Sequence, residues 1–323
     1  KKYGITILSI VDHTGHFTKD AGIVAGQFID DGGITVIKEL AGRGRLLSKS
    51  SMRHQYPHCW RCKNPIIYRA TEQWFASVEN FRQDALNAID NEVKWIPAWG
   101  RNRIYNMVEA RQEWCISRQR VWGMPIPVFY CDECNEPIIN DVTINAVSER
   151  FTAEGADSWW KYDAKDFLPA DFACPHCAST KGYRKETDTM DVWFDSGSSH
   201  AAVLRTRPEL HWPADMYLEG SDQHRGWFQS SLLTSVATTG HAPYKSVLTH
   251  GFIVDGEGKK MSKSVGNVIV PQEVIEKYGA DVLRLWVSST DYQSDIRISP
   301  EILKQVSENY RKIRNTLRYL VGN

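Results

Sequence analysis

The sequence lacks several features that would narrow its class. It has no hydrophobic run near the roughly 20 residues of a membrane span. It also has no signal peptide, internal repeat or low-complexity tract. Neither charge is in excess, since Lys plus Arg and Asp plus Glu both number 39. We therefore expect no membrane partner, and a nucleic-acid partner would need a local basic patch or basic regions outside this chain.

An initial methionine is absent as well. The chain starts at Lys1 and ends within a helical pattern, so we interpret it as an internal segment of a longer protein. Its 323 residues, 42% of them hydrophobic, suffice for two or three domains with buried cores.

Strand-like and helix-like hydrophobic patterns alternate over the second half of the chain. This alternation predicts an α/β fold with a mainly parallel sheet. The first 50 residues show short β-type runs with glycine turns, and the segment from Pro300 is helical and basic. The predicted strands are 5–11, 126–130, 216–220 and 245–254, with a strand and turn at 190–197. The predicted helices are 76–96, 222–239, 271–287 and 300–320, and the predicted glycine turns are 32–33 and 42–44.

Six of the seven cysteines form Cys-x-x-Cys pairs, which indicates metal ligands in a reducing compartment, and so the cytoplasm, rather than disulfides. Two pairs flank the segment 131–187, which has the character of an insertion. Four thiolates form a closed tetrahedral site, so we predict structural Zn²⁺ that helps the insertion fold. Free thiols in a degenerate knuckle are the alternative. The predicted ligands are Cys131, Cys134, Cys174 and Cys177.

The third pair, Cys59 and Cys62, has no fourth pair to complete it in this sequence. We expect this half-site to be metal-free or to bind metal weakly here.

Residues 256–264, which we call the lysine loop, contain two glycines, three lysines and two hydroxyls. Glycines let a loop backbone approach a ligand, and lysines supply mobile charges for phosphate oxygens. Ammonium groups beside a departing pyrophosphate stabilise the transition state more than the ground state. A solvated surface hairpin is the alternative interpretation.

Residues 260–264, Lys-Met-Ser-Lys-Ser, resemble the second signature of class I aminoacyl-tRNA synthetases letter for letter. Residues 217–228 carry the Gly-x-Asp-x-x-His pattern of that class, and residues 249–252 and 278–284 are also similar to it. Residues 56–62, 114–123 and 191–200 resemble the isoleucyl group. The valyl and leucyl groups share the scheme and differ most in 191–200.

The resemblance implies a substrate set and a role for each matching residue. The implied partners are isoleucine, ATP with Mg²⁺ and the isoleucine tRNA, with an aminoacyl-adenylate intermediate and a monomeric enzyme. Glu219 would bind the amino group of the adenylate, and Asp222 the ribose hydroxyls. The other implied contacts are Gly220 and Gln223 in the adenylate site, His250 and Gly251 on the adenine side, Trp193 and Trp227 as walls of the isoleucine pocket, and Lys263 with Lys260 on ATP. Core packing is the alternative for the tryptophans, and a helix-capping or surface carboxylate for Glu219.

The resemblance also implies a domain plan: the carboxyl-terminal half of a class I catalytic core, Rossmann-like, with a zinc-knuckle insertion and the start of an all-α domain. The segments are 1–50 (the end of an editing domain), 51–130 and 188–298 (core), 131–187 (insertion) and 299–323 (start of a helical anticodon-binding domain). The strings that carry editing chemistry are absent from this sequence. The first signature and the anticodon-binding domain are missing as well, so we expect no tRNA charging by this chain alone.

The string His13-Thr14-Gly15-His16 matches the family's first signature, His-x-Gly-His, but we interpret the match as a coincidence. It lies in a hairpin-like turn with no apolar helix behind it. Two further alternatives stay open at this point: a valyl-type synthetase, and a zinc-ribbon module that binds nucleic acid without catalysis.

Overall fold

The structure is a computed structural model that describes residue 4 and residues 8–59, 61–263 and 265–322. The chain divides into two compact units, Lys1–Gln73 and Trp74–Asn323. No helix in the described ranges is both long and apolar enough to span a bilayer.

The secondary structure is named here in chain order. The α-helices are α1 (Ile29–Gly42), α2 (Arg82–Asn91), α3 (Trp99–Glu109), α4 (Asp141–Glu154), α5 (Ser158–Lys161), α6 (Val192–Gly197), α7 (Trp227–Thr239), α8 (Pro271–Tyr278), α9 (Ala280–Ser288) and α10 (Pro300–Val321). The strands are β1 (Phe75–Ser77), β2 (Lys94–Ile96), β3 (Glu113–Cys115), β4 (Ser117–Arg118), β5 (Phe129–Cys131), β6 (Pro137–Ile138), β7 (Tyr183–Lys185), β8 (Thr189–Met190), β9 (Tyr217–Gly220), β10 (Ser246–His250), β11 (Ile253–Val254) and β12 (Ile296–Arg297). Short 3-10 helices span Lys19–Val24, Ala164–Asp166 and Ser221–Arg225, and a π-helix spans His200–Leu204.

The first unit is built around α1. The predicted glycine turn at 32–33 is wrong, because both glycines lie inside α1. The predicted turn at 42–44 is confirmed in part: Gly42 is the last residue of α1, and Arg43 and Gly44 form a turn in which Gly44 has a φ of +63°. A Cβ on Gly32 would come within 2.3 Å of the Phe17 ring, so this glycine permits close packing rather than a turn. Of the predicted strand 5–11, residues 5–7 lie outside the described residues, and Val11 forms a single antiparallel bridge with Phe17.

The second unit contains a three-stranded parallel sheet in the order β2-β10-β9, which confirms the predicted parallel α/β architecture. Helices α2, α3 and α7 pack with this sheet around one hydrophobic core. The core includes Ile89, Ile104, Phe228, Leu232 and Val247, each of them fully buried. This core fixes the strands whose ends carry the candidate site.

The predicted helix 76–96 is too long at both ends. Its apolar spacing is real, because Ala85, Leu86 and Ile89 are buried on α2. However, Lys94–Ile96 is extended and pairs with β10. Pairing with a strand about 150 positions away in the sequence overrides the local helical pattern.

Three other predicted elements are each divided at a glycine. The predicted strand 245–254 separates into β10 and β11 at Gly251, whose N–H donates to the carbonyl of Tyr292 (2.8 Å). The predicted helix 271–287 separates into α8 and α9 at Gly279, where φ is +88°. The predicted helix 222–239 separates at Gly226 into a 3-10 turn and α7.

The predicted strand and turn at 190–197 is a strand only at Met190. Residues Val192–Gly197 form the short helix α6 instead. The carboxylate of Asp191 accepts a hydrogen bond from the N–H of Trp193 (3.2 Å), and this cap starts the helix.

Between β5 and β7 the chain forms its own small core. Strands β6-β5-β7 make an antiparallel sheet. Trp159, Phe129 and Ile138 are fully buried in a cluster that also contains Cys131 and Cys174. The predicted insertion therefore contains an apolar cluster beside its cysteines.

A further cluster joins the lysine loop to the last three helices. Val274, Trp286 and Leu303 from α8, α9 and α10 are buried together, and Met261 of the lysine loop packs against them. Strands β11 and β12 pair in parallel beside this cluster.

Candidate functional site

The carboxyl ends of β9 and β10 lie side by side. Glu219 is opposite Thr249, and Gly220 is opposite His250. In open parallel sheets, ligands bind at the edge formed by these strand ends. Glu219 is exposed there, and His250 with Gly251 follows on the neighbouring strand. The structure thus brings four of the predicted site residues to one edge.

Asp222 and Gln223 lie in the 3-10 turn that leaves β9. The Gln223 Oε1 accepts a hydrogen bond from the N–H of Trp227 (2.8 Å), so Gln223 also fixes the start of α7. The buried ring of His224 holds the same turn, because its Nδ1 lies 3.0 Å from the carbonyl of Ser221. Burial lowers the pKa of His224, which keeps the ring neutral. Asp222 itself is exposed toward solvent.

The two predicted pocket tryptophans meet at Gly226. Trp227 stacks on Tyr217 with ring centroids 3.8 Å apart, and its Nε1 donates to the carbonyl of Ser196 (3.0 Å). Trp193 is 40% exposed, and its ring lies 2.9 Å from where a Cβ on Gly226 would be. A side chain at that position would displace Trp193. Core packing, the alternative to a pocket role, therefore holds in part for Trp227, which packs against the core. It does not hold for Trp193, which is exposed.

Asp191 supports this aromatic pair and was missed as a site residue. Its buried carboxylate accepts hydrogen bonds from the Trp193 N–H and from Trp114 Nε1 (3.0 Å), and it pairs with Arg118 (2.9 Å). A small cavity lined by Arg111 and Gln229 lies beside it. The sequence offered two signals, the place of Asp191 at the start of the string 191–200 and an aspartate ahead of a short apolar run, which is a weak capping pattern. Neither signal indicates these contacts.

The lysines of the lysine loop are not in contact with this strand edge. Lys260 and Lys263 are exposed, and neither has an ion-pair partner in the described ranges. A hairpin turn precedes them, since Val254 and Lys260 form an antiparallel bridge. Ser264 lies outside the described residues. The loop belongs to the module of α8, α9 and α10, whereas Glu219 and Trp227 belong to the sheet.

The four predicted zinc ligands converge, with all four sulfurs within 4.8 Å of one another. Cys131 and Cys177 have sulfurs 3.7 Å apart, as do Cys134 and Cys174. Tetrahedral zinc with Zn–S bonds of about 2.3 Å separates its sulfurs by about 3.8 Å. The donor set and its spacing fit Zn²⁺.

Both cysteine pairs have the same turn geometry. The N–H of Asn135 donates to the carbonyl of Cys131, and the N–H of Ala178 to that of Cys174, both at 2.8 Å. Although burial raises the pKa of the Cys174 thiol, N–H donors from His176 and Cys177 outweigh this effect and lower the pKa to about 7. The N–H of Ser179 lowers the pKa of the Cys177 thiol, but burial and the hydrogen bonds that it shares with the other three cysteines outweigh this effect and raise the pKa to about 12. One thiol of the cluster thus ionises readily, and metal binding would release the remaining protons.

The half-site of Cys59 and Cys62 has the same turn geometry as the two pairs of predicted zinc ligands. The N–H of Lys63 donates to the carbonyl of Cys59 (2.9 Å), and Lys63 has a positive φ of 62°, like Asn135 and Ala178. In the described part of the chain no further cysteine joins Cys59 and Cys62 in a metal-binding group.

The string His13-Thr14-Gly15-His16 is a turn, as predicted. The Asp12 carboxylate accepts hydrogen bonds from the N–H groups of Thr14 (2.8 Å) and His16 (3.0 Å). The next α-helix begins only at Ile29, so the string does not open a helix.

A parallel sheet with polar residues at its carboxyl edge, a lysine loop and a four-cysteine knuckle are the features that the resemblance to class I synthetases implies. Residues 12–299 match the family model described as tRNA synthetases class I (I, L, M and V), and the chain belongs to that family. The chain is 63% identical over its whole length to an isoleucine–tRNA ligase of Carboxydothermus hydrogenoformans, and 62% identical to one of Caldanaerobacter subterraneus subsp. tengcongensis. The predicted resemblance to isoleucyl-tRNA synthetases is thereby confirmed.

The chain spans about a third of the length of these relatives, 35% and 34% respectively. Among solved structures, methionyl-tRNA synthetase of Mycobacterium tuberculosis bound by methionyl-adenylate aligns with 77% of this chain and 39% of its own. The identity is 18% and the TM-score is 0.49, a likeness too weak to assign roles to residues.

Proposed function

We propose that this chain is the carboxyl-terminal half of the catalytic core of an isoleucine–tRNA ligase, which joins isoleucine to its tRNA through isoleucyl-adenylate. One observation carries the proposal: Glu219, Gly220 and His250 lie in register at the carboxyl edge of the sheet, beside Trp193 and Trp227. This arrangement offers a carboxylate, a nucleotide-binding edge and an aromatic pocket in one place.

In the first step, a carboxylate oxygen of isoleucine attacks the α-phosphorus of ATP, and the bond to pyrophosphate breaks. Glu219 would bind the ammonium group of the amino acid, since a carboxylate suits an ammonium. Asp222 would bind the ribose hydroxyls beside Gln223 and Gly220, and His250 with Gly251 would border the adenine. Holding both reactants in this geometry supplies much of the acceleration.

Lys260 and Lys263 would bind the phosphates of ATP, which enters with Mg²⁺. Both ammonium groups are free of ion pairs in the described ranges, so no local partner has to be released first. Charge that gathers on the departing pyrophosphate would then be stabilised by these lysines. In the second step, a hydroxyl of the terminal tRNA ribose attacks the carbonyl carbon, and AMP leaves.

Trp193 and Trp227 would form the walls of the pocket for the isoleucine side chain. Aromatic faces make a good apolar wall, but they reject a smaller side chain poorly. One missing methylene is worth about 1–3 kcal/mol, a value for which isoleucyl-tRNA synthetase is itself the standard example. A valyl-type enzyme is therefore the alternative to test.

Cys131, Cys134, Cys174 and Cys177 would hold a structural zinc ion. Four protein ligands leave no open position, so the metal would stabilise the fold of the insertion and take no part in the reaction. Reduced thiols at this centre support a cytoplasmic location.

Pyrophosphate exchange tests the proposal. The intact gene product is assayed with isoleucine and with valine, in parallel, in the presence of ATP. We expect isoleucine-dependent exchange, with valine less efficient by roughly 10- to 200-fold. A preference for valine would identify the valyl-type alternative. Binding of nucleic acid with no exchange for either amino acid would identify the zinc-ribbon module without catalysis.

A further inference from the structure

Two side chains outside the signature string hold the lysine loop in shape. After the bridge between Val254 and Lys260, the described residues 261–263 of the loop have no regular secondary structure. Lys260 and Lys263 must nevertheless be held at a defined position, because catalysis loses about 100-fold when a group is misplaced by about 1 Å. The structure contains a hydrogen-bond network that can do this.

Asp255 closes the turn ahead of the lysines. Its Oδ1 accepts hydrogen bonds from the N–H groups of Glu257 (3.0 Å) and Lys259 (2.8 Å), and its Oδ2 accepts one from Asn267 Nδ2 (2.8 Å). The Asn267 amide lowers the pKa of Asp255, and the Lys259 N–H adds to this effect. The ionised carboxylate thus has three N–H donors.

Asn267 lies beyond the lysines and reaches back to them. Its Oδ1 accepts a hydrogen bond from the N–H of Ser262 (2.9 Å), and its Nδ2 also donates to the carbonyl of Lys260 (3.2 Å). The residues on both sides of Met261 are therefore held by one amide group. Met261 itself packs against the apolar cluster of the last three helices.

We propose that Asp255 and Asn267 are positioning residues, which hold the lysine loop so that Lys260 and Lys263 face the ATP phosphates. The inference rests on the proposed function. Together the two side chains bind the backbone of Glu257, Lys259, Lys260 and Ser262 through five hydrogen bonds, including the one that joins them to each other. Neither side chain is required to touch the substrate.

Single substitutions and a reciprocal exchange test this inference. Asn267→Asp places two carboxylates together, and Asp255→Asn places two amide donors together. The double variant Asp255→Asn with Asn267→Asp restores a donor opposite an acceptor. It loses the bond to the Lys260 carbonyl, which then faces a carboxylate oxygen. Glu276→Gln is the matched control, because it removes an exposed carboxylate on α8, outside the lysine loop.

The readouts are kcat and KM in pyrophosphate exchange by the intact gene product, with the thermal midpoint measured on each variant. We expect each single variant to lose about 10- to 100-fold in kcat, with KM for isoleucine unchanged, and the double variant to recover most of the loss. Glu276→Gln should behave as wild type.

The outcomes separate the inference from the proposed function. If the wild type catalyses no exchange, the proposed function fails. If the wild type is active and both single variants keep its kcat, the inference is overturned. A loss of kcat that merely follows the loss of folded protein, or a double variant no better than the singles, also counts against positioning.

Discussion

At the scale of single residues, the proposed chemistry depends on one exposed carboxylate at a strand end. The carboxylate of Glu219 has no hydrogen-bond or ion-pair partner within the described ranges, so its charge is available to a ligand. Buried carboxylates of this chain, such as Asp191, are instead satisfied by several donors. That contrast favours a binding role for Glu219 over a structural one.

We expect Glu219→Gln to raise KM for isoleucine in pyrophosphate exchange by about 10- to 100-fold. A charge-assisted hydrogen bond to an ammonium is worth about 1.5–3 kcal/mol, and each 1.4 kcal/mol is a factor of ten. Stability should change little, because the side chain is exposed. Glu273→Gln, an exposed change on α8, is the control. An unchanged KM for isoleucine would mean that Glu219 does not bind the substrate ammonium.

Residues with a role in the site could be predicted where they lie in a recognisable string, and were missed where they act through a neighbour. Glu219, His250 and the cysteine pairs belong to such strings. Asp191 opens the string 191–200, but nothing in that string shows that its carboxylate caps α6 and binds Trp114. Asn267 lies outside the strings and carries no comparable signal, because its contacts are with backbone that only folding brings near. In the sequence alone, a residue that caps a helix or holds a loop cannot be distinguished from any other polar residue.

At the scale of elements, the parallel sheet was predicted but the boundaries of its neighbours were not. The hydrophobic pattern identified α2 and α7, because their apolar residues are buried. It failed for β2, where the strand is made by pairing with β10. It also failed in α1, where Gly32 packs against Phe17 and the helix continues through Gly32 and Gly33. Long-range contacts, which the local pattern does not contain, decided each case.

The junction between the insertion and the core depends on Glu186. Its Oε2 accepts hydrogen bonds from Trp74 Nε1 (2.9 Å) and from the Tyr130 hydroxyl (2.6 Å), and its Oε1 accepts one from the N–H of Thr187 (2.7 Å). Burial alone would raise the pKa of Glu186, but the hydrogen bonds from Tyr130, Asp188 and Trp74 lower it below its usual 4.5. The carboxylate form therefore stabilises the fold.

This depressed pKa predicts a pH dependence. The stabilisation by Glu186 is fully present above its unfolded-state pKa, near 4.5, and is lost as pH falls through the lower folded-state pKa. Glu186→Gln should therefore lower the thermal midpoint at pH 7, and the difference from wild type should shrink in acid. Glu149→Gln, an exposed change on α4, is the control. A difference that stays constant from pH 7 to acid would contradict this role.

At the scale of the whole molecule, the predicted site residues belong to separate hydrophobic clusters. Glu219 and Trp227 depend on the core of the sheet, whereas Met261 ties the lysine loop to the three last helices. The zinc ligands depend on a third cluster, around Trp159. A signature string identifies each part, but only the fold reveals that the parts rest on different cores. A substitution can therefore disrupt the strand-edge site, the lysine loop or the cysteine cluster without disrupting the other two.

The cysteine cluster gives the sharpest case of such separate disruption. We expect the purified chain to contain about one zinc ion, and Cys177→Ser to reduce this to near zero, because three thiolates bind Zn²⁺ less tightly than four. Cys62→Ser is the control, since the half-site has no partner pair among the described residues. Metal analysis gives the stoichiometry. The protease resistance of residues 131–187 reports on the insertion, because the fully buried Trp159 ring shares a cluster with Cys131 and Cys174. Chelation or acid, which reprotonates the thiolates, should make this segment sensitive to protease together with zinc release. A chain that binds no zinc, or whose residues 131–187 stay protease-resistant after complete zinc removal, would contradict a structural zinc centre.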